Sequence, residues 1–188
     1  MALRARWWGA LGALVLGAGC GTGEAGDLDD GGAAGGGGSG NDVLVAAIAG
    51  EPDQLDPHRT SSYFAFQVLE NVFDTLVEPD EDLAMQPALA ESWEISDDQL
   101  TWTFQIREGV TWHDGSAFSA QDVAYSFNRI IDEELSPSWR FANVSEVTAP
   151  DDTTVVITVT EPSPTLLSAV GGYKGLAIVQ QANVESGE

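Results

Sequence analysis

The sequence predicts an α/β fold with an α+β middle portion, and three stretches carry that prediction. "LTWTFQIR", Leu100 to Arg107, alternates apolar and polar residues strictly, as a half-buried antiparallel strand does. Ala65, Leu69, Val72, Phe73 and Leu76 recur at i, i+4, i+7, i+8 and i+11, the spacing of one helical face. "SAQD", Ser119 to Asp122, has the form of a capping box, with Val123, Phe127 and Ile130 on one face of the helix it opens.

In chain order, folded structure is expected to begin at Val43. "VLVAAIAG" is short, β-branched and apolar, which suits a buried strand over Val43 to Ala49. "EPDQLDPH" brings two prolines and three acids and reads as a rigid extended loop. A helix capped by Ser61 or Ser62 then runs through Leu76 and closes at "EPDED", Glu78 to Asp82. "SWEIS", Ser92 to Ser96, is the hairpin partner of the alternating strand. The capped helix ends near Ile131, and "VSEVTAP" and "TTVVITVTEP" make a second hairpin around Asp151 and Asp152. "GLAIVQ", Gly175 to Gln180, reads as a last buried strand. There are no internal repeats.

Charge is the outlier. Against 30 Asp+Glu the chain has 7 Lys+Arg, a formal −23. Nucleic acid is excluded as a partner, because phosphate backbones are bound by clustered cations that displace counterions. Such an acidic surface is usually a solubilising one, and attraction of cationic ligands stays open as the other reading.

The first residues have the layout of an export signal. Arg4 and Arg6 precede an apolar run, Trp7 to Ala18, and small residues lead into Cys20, the lone cysteine. The run is short for spanning a hydrocarbon core of ~30 Å. "LVLGAGC" resembles a bacterial lipobox, with Gly17 where leucine is usual; residues 1–19 are then the lipoprotein signal peptide and Cys20 the lipidated residue. Residues 20–42, about half glycine, cannot bury enough surface to offset their ordering entropy and read as a disordered tether. Its r.m.s. reach is roughly 25 Å.

"VTWHDG", Val110 to Gly115, invites a catalytic or metal reading. Asp114-Gly115 is turn chemistry, however: the aspartate bonds its own backbone and glycine supplies a positive φ. A zinc site needs three or four ligands, and His58, the other histidine, has no second ligand at motif spacing. No G-x-S-x-G, P-loop or H-E-x-x-H is present. The expectation is a turn, with no catalytic residues, no metal and no cofactor.

The run from Pro87 to Phe127, "PALAESWEISDDQLTWTFQIREGVTWHDGSAFSAQDVAYSF", resembles the signature region of the family 5 extracellular solute-binding proteins, the peptide- and nickel-type receptors of ABC importers. "EPDQLDPH", "NVFDTLVEPDED", "VTAPDDTTVVITVTEPSP" and "LAIV" fall in the family's order, so the resemblance covers the chain from Val43 onward. It implies the N-terminal part of a two-lobed periplasmic-binding-protein-like fold, of the type with an extra subdomain in lobe one. Residues 43–60 and 171–188 would belong to lobe one and 61–168 mostly to the extra subdomain. The second lobe would be absent from residues 43–188, family members being substantially longer. The resemblance implies a monomeric substrate-binding lipoprotein that captures oligo- or dipeptides for transmembrane transport. It would be extracytoplasmic, held to the bacterial membrane through Cys20, with ABC permease subunits as partners. By position it assigns Ser61, Ser62 and Tyr63 to ligand binding; helix capping and local packing account for those residues equally well. The same scaffold could serve nickel chelates, haem or oligosaccharides. A lipid-anchored enzyme would need a converging nucleophile and base, which the sequence lacks, and a structural surface domain would need no cleft.

Overall fold

The computed structural model describes residues 45–172 and 176–187. The expected signal peptide, Cys20, the expected tether, and Val43 and Leu44 of the first expected strand lie outside the described residues. Residues from Val45 onward form one compact unit.

A four-stranded antiparallel sheet is its centre. β3 (Ala90–Ile95) pairs with β4 (Thr101–Ile106), and β5 (Val144–Thr148) pairs with β6 (Thr154–Val159), giving the order β3-β4-β6-β5. Both expected hairpins are therefore present, and β4 and β6 join them. In that central pair Trp102 lies opposite Ile157 and Phe104 opposite Val155. The side-chain period of a strand puts all four on one face, where they are buried. Two β-bulges, at Ala90/Ser92 and Val144/Glu146, interrupt the outer ladders.

Helix α2 (Ala120–Asp132) covers that face. Val123, Phe127 and Ile130 are fully buried at i, i+4 and i+7, and the Phe127 ring meets Phe141 at 5.2 Å. Burying a side chain of this size contributes ~1.5–3 kcal/mol. The capping box forms as its sequence predicts, with Ser119 N–H donating to Asp122 Oδ2 at 3.2 Å.

Three expected elements differ. The first helix, α1, spans Tyr63–Leu69, with Ser62 at the N-cap and no cap bond from its side chain. The chain turns at Glu70 to Phe73, leaving Val72 46% exposed, and then extends into β1 (Val77–Pro79), which pairs with β2 (Met85–Pro87). "EPDED" is thus the tip of a small hairpin. Asp80 organises it, its Oδ1 accepting the N–H groups of Asp82 and Ala84 at 2.9 Å. Leu76 is buried although it is not helical, so the apolar phase reported burial alone.

The described residues of the expected first strand, Val45 to Ala49, are exposed and unpaired. No strand among the described residues lies beside them. Gly50 holds their end against α1, because a Cβ there would come within 2.7 Å of the Phe64 ring. The third difference is "GLAIVQ": Leu176, Ala177, Ile178 and Val179 are buried, Leu176 in a 3-10 turn and the rest irregular. Irregular backbone survives burial only when its polar groups are met. Here Ile178 N–H donates to Asp74 O (2.9 Å) and Val179 N–H to Ser126 Oγ (2.9 Å). Short helices α3 (Leu166–Ala169) and α4 (Gln181–Ser186) flank the segment.

Candidate functional site

The turn at "VTWHDG" is as the sequence predicts. Thr111 bridges Ala117, Trp112 N–H donates to Ser116 O at 2.9 Å, and Gly115 sits at φ +85°. Asp114 Oδ1 accepts Ser116 N–H at 2.8 Å. Its carboxyl is held down at about 2 by hydrogen bonds from the Gln180 amide, at 3.0 Å, and then from Ser116. His113 is exposed beside it. Among the described residues no three His, Cys, Asp or Glu side chains converge as a metal site would require.

The chain entering α1 carries the residues expected to meet ligand. Ser61 is exposed, Ser62 is half-buried at the N-cap, and Tyr63 is 71% exposed with its ring edge-on to Phe64. Tyr63 forms one wall of an open cleft of about 520 Å³, with Phe66, Gln67 and Glu70 of α1, Glu78 and Pro79 of β1, and Gly171 and Gly172. The cleft combines aromatic faces, two carboxylates and an amide. Gln67 Oε1 is a buried acceptor with no hydrogen-bond partner among the described residues. Gly171 lets the wall close up, because a Cβ there would overlap Val77 O and stand 2.7 Å from the Val77 carbonyl carbon. The geometry brings Tyr63 to the cleft and leaves the serines just N-terminal to it.

A second cleft, of about 540 Å³, lies on the side of the Trp112–Asp114 turn and reaches Leu55, Asp56, Val72, Arg129 and Val184. At its edge stands a buried polar cluster that sequence reasoning missed. Arg129, its side chain 6% exposed, bonds Asp56 through both terminal nitrogens (Nη2 to Oδ2, 2.6 Å; Nη1 to Oδ1, 3.3 Å). Nη1 also faces His58 Nδ1 at 3.1 Å, while His58 Nε2 lies 2.8 Å from Ala177 O. A carbonyl can only accept, so Nε2 carries the proton and Nδ1 receives the Arg129 hydrogen bond. His58 is fully buried, and burial pushes its pKa down to about 4. Asp56 is held below the usual carboxylate range despite the opposing pull of burial, by hydrogen bonds from Arg129 and the His58 N–H. The sequence signal available was the pairing of "LDPH" with the single arginine of the α2 face, 73 residues apart.

Comparison with known proteins fits this architecture. Residues 84–185 match the family model described as bacterial extracellular solute-binding proteins, family 5 Middle. The periplasmic murein peptide-binding protein MppA of Escherichia coli (strain K12) is 32% identical over 164 residues, 77% of this chain and 30% of that protein. Its solved structure superposes with a TM-score of 0.66 at 31% identity, covering 75% of this chain and 31% of that one. The dipeptide-binding protein DppE of Bacillus subtilis (strain 168) is 30% identical over 183 residues, 87% of this chain and 34% of that protein. NikZ from Campylobacter jejuni, solved in complex with Ni(L-His), superposes with a TM-score of 0.62 at 28% identity, covering 72% of this chain and 27% of that one. The chain belongs to the family 5 bacterial extracellular solute-binding proteins, and its described part has their α/β fold. It spans about a third of the length of the curated relatives it matches.

Proposed function

We propose that this chain supplies one wall of the ligand site in a substrate-binding lipoprotein of an ABC importer, and that the ligand is an oligo- or dipeptide. The observation that carries this reading is the kinship with MppA and DppE, both named for the peptides they bind. The cleft beside α1 is suited to the task. Ser61 and Ser62 hydroxyls can donate to peptide carbonyls or accept peptide N–H groups, and the exposed Tyr63 ring can cover an apolar side chain. The role is capture and delivery, with no bond-making step.

Residues 43–60 and those from 171 onward would belong to lobe one and 61–168 mostly to the extra subdomain, with the ligand held where concave surfaces meet. The receptor would act as a monomer outside the cytoplasm, lipidated at Cys20 and delivering to ABC permease subunits. A second reading, a nickel–amino-acid chelate, is favoured by the likeness to NikZ with Ni(L-His). Such a ligand brings its own donors.

The test is titration of the full-length protein with a di- to pentapeptide library, with Ni(L-His) and with oligosaccharides. Peptide binding at ~1 µM or tighter supports the reading. Binding of Ni(L-His) alone would replace it, and binding of none of them would overturn both. For the anchor, Cys20→Ala is expected to move the protein into the soluble extracytoplasmic fraction. Undiminished lipid labelling of that variant would remove Cys20 as the lipidated residue.

A further inference from the structure

The exposed segment that would meet ligand has little packing of its own. Tyr63 is 71% exposed at the start of α1 and Ser61 is exposed, so their positions are set by α1 on one side and by the chain before them on the other. That chain is tied at nearly every step. Asp53 Oδ1 accepts the Thr60 hydroxyl at 2.7 Å, and Thr60 Oγ1 in turn accepts the Ser62 N–H at 3.0 Å. Asp56 O accepts the N–H groups of Arg59 and Thr60, and Asp56 Oδ1 accepts that of His58 at 2.9 Å. These ties make residues 53–62 a stiff unit, yet none of them fixes that unit to the rest of the fold.

Two side chains do. Arg129 reaches from the third turn of α2 to Asp56 and His58, and His58 reaches on to Ala177 in the buried 176–179 segment. The contacts join three parts of the chain separated by 71 and 119 residues. Arg59 and Glu133 add an exposed ion pair at 2.6 Å on the outside. The charged groups acting on His58 are Asp56 on its own loop, Arg129 on α2 and Glu133 at the C-cap of α2; the 176–179 segment offers backbone only.

We infer that Arg129 and His58 are positioning residues for ligand binding: through Asp56 and Ala177 they clamp residues 53–62 onto α2 and the 176–179 segment and so set the pose of Ser61, Ser62 and Tyr63. The inference rests on the reading that these three residues face ligand. A binding segment fixed before the ligand arrives loses less conformational entropy on binding, and its hydroxyls meet the ligand without a search. Arginine suits the role because its planar fork serves a carboxylate and an imidazole at once, which the single ammonium of lysine cannot. The neutral Nε2–H imidazole suits it too, as a donor at one end and an acceptor at the other.

The experiment uses the full-length protein, a di- to pentapeptide library as the probe, and amide hydrogen exchange as a readout that needs no ligand. Arg129→Lys and His58→Leu are expected to speed exchange at the hydrogen-bonded Arg59, Thr60 and Ser62 amides about tenfold while β4 and β6 amides keep their protection. The same variants are expected to weaken peptide binding by about tenfold through lost preorganisation. His58→Gln, which keeps a donor and an acceptor, should restore most of both. Ile157→Val, a core change, should lower the melting temperature and leave the affinity and the Arg59, Thr60 and Ser62 amides alone. Unchanged exchange at the Arg59, Thr60 and Ser62 amides in Arg129→Lys and His58→Leu would overturn the clamp. So would equal loss of affinity in Ile157→Val at a matched drop in melting temperature. Tyr63→Ala separates the two failures. If it binds peptide as the parent does, the ligand-facing reading of Ser61 to Tyr63 is wrong. If it loses binding while the clamp variants do not, the positioning role alone is wrong.

Discussion

Gly171→Ala should be among the most damaging single-methyl changes in the molecule. The added carbon would stand 2.7 Å from the Val77 carbonyl carbon, where ordinary contact begins at 3.4 Å, a shortfall of 3.4 − 2.7 = 0.7 Å. It would also overlap Val77 O and Cγ2. A side-chain neighbour could rotate away, but Val77 O belongs to the backbone of β1 and accepts the Thr75 hydroxyl at 2.8 Å. Relief therefore requires moving β1 and its partner β2. Overpacking costs ~1–3 kcal/mol where side chains can yield, and against fixed backbone the loss should lie at the top of that range, about 3 kcal/mol. Because Glu78 and Pro79 ride on β1 and line the cleft beside Tyr63, the same change should weaken ligand binding. Equilibrium urea unfolding reads the first effect and peptide titration the second. Gly115→Ala is the control. Nothing lies within 4 Å of its Cβ, so it meets only the cost of φ +85°, about 1 kcal/mol. A Gly171→Ala protein within ~0.5 kcal/mol of the parent would show that β1 is not seated against Gly171 as described.

Four further expectations can be checked together. Phe127→Ala should cost ~3–5 kcal/mol in urea unfolding, since a fully buried ring between α2 and Phe141 leaves a cavity. Ser126→Ala removes the acceptor of the Val179 N–H and should cost ~1–3 kcal/mol by the same measurement. His58 has a folded pKa of about 4 against an ordinary 6.5, so the folded protein binds fewer protons than the unfolded chain between those values. Stability should be full above pH 6.5 and decline toward pH 4, with a shallower slope in His58→Gln. His113→Ala should leave peptide affinity within about tenfold of the parent, ~1.4 kcal/mol; a larger loss at an unchanged melting temperature would make the turn a binding element.

Local chemistry was what the sequence made legible. The two hairpins and α2 were readable because their signals lie within a few residues: the alternation of Leu100 to Arg107, and Ser119 three residues before Asp122. The union of the hairpins through β4 and β6 was not readable, since no local pattern encodes a pairing of Phe104 with Val155. Helical phase misled at Val72 to Leu76, where apolar spacing met the needs of a turn and an extended segment packed on the same core. "GLAIVQ" misled for a related reason: a short apolar run signals burial, and only distant partners such as Asp74 O and Ser126 Oγ decide its backbone form. The turn at His113 was legible from Asp114-Gly115, whereas the burial of His58 depends on Arg129 and Ala177, far along the chain. Tyr63 reaches a cleft wall, but its place there follows from α1, β1 and Gly171 together.

Binding of peptides against the Ser61–Tyr63 wall is the proposal on which the rest depends. Photo-crosslinking tests it most directly: the full-length protein is irradiated with a peptide library carrying a benzophenone side chain, and the adduct is mapped by mass spectrometry. A labelled fragment containing Ser61 to Glu70 is expected, with labelling abolished by excess unmodified peptide. Competed labelling confined to other segments, or no competed labelling at all, would contradict it.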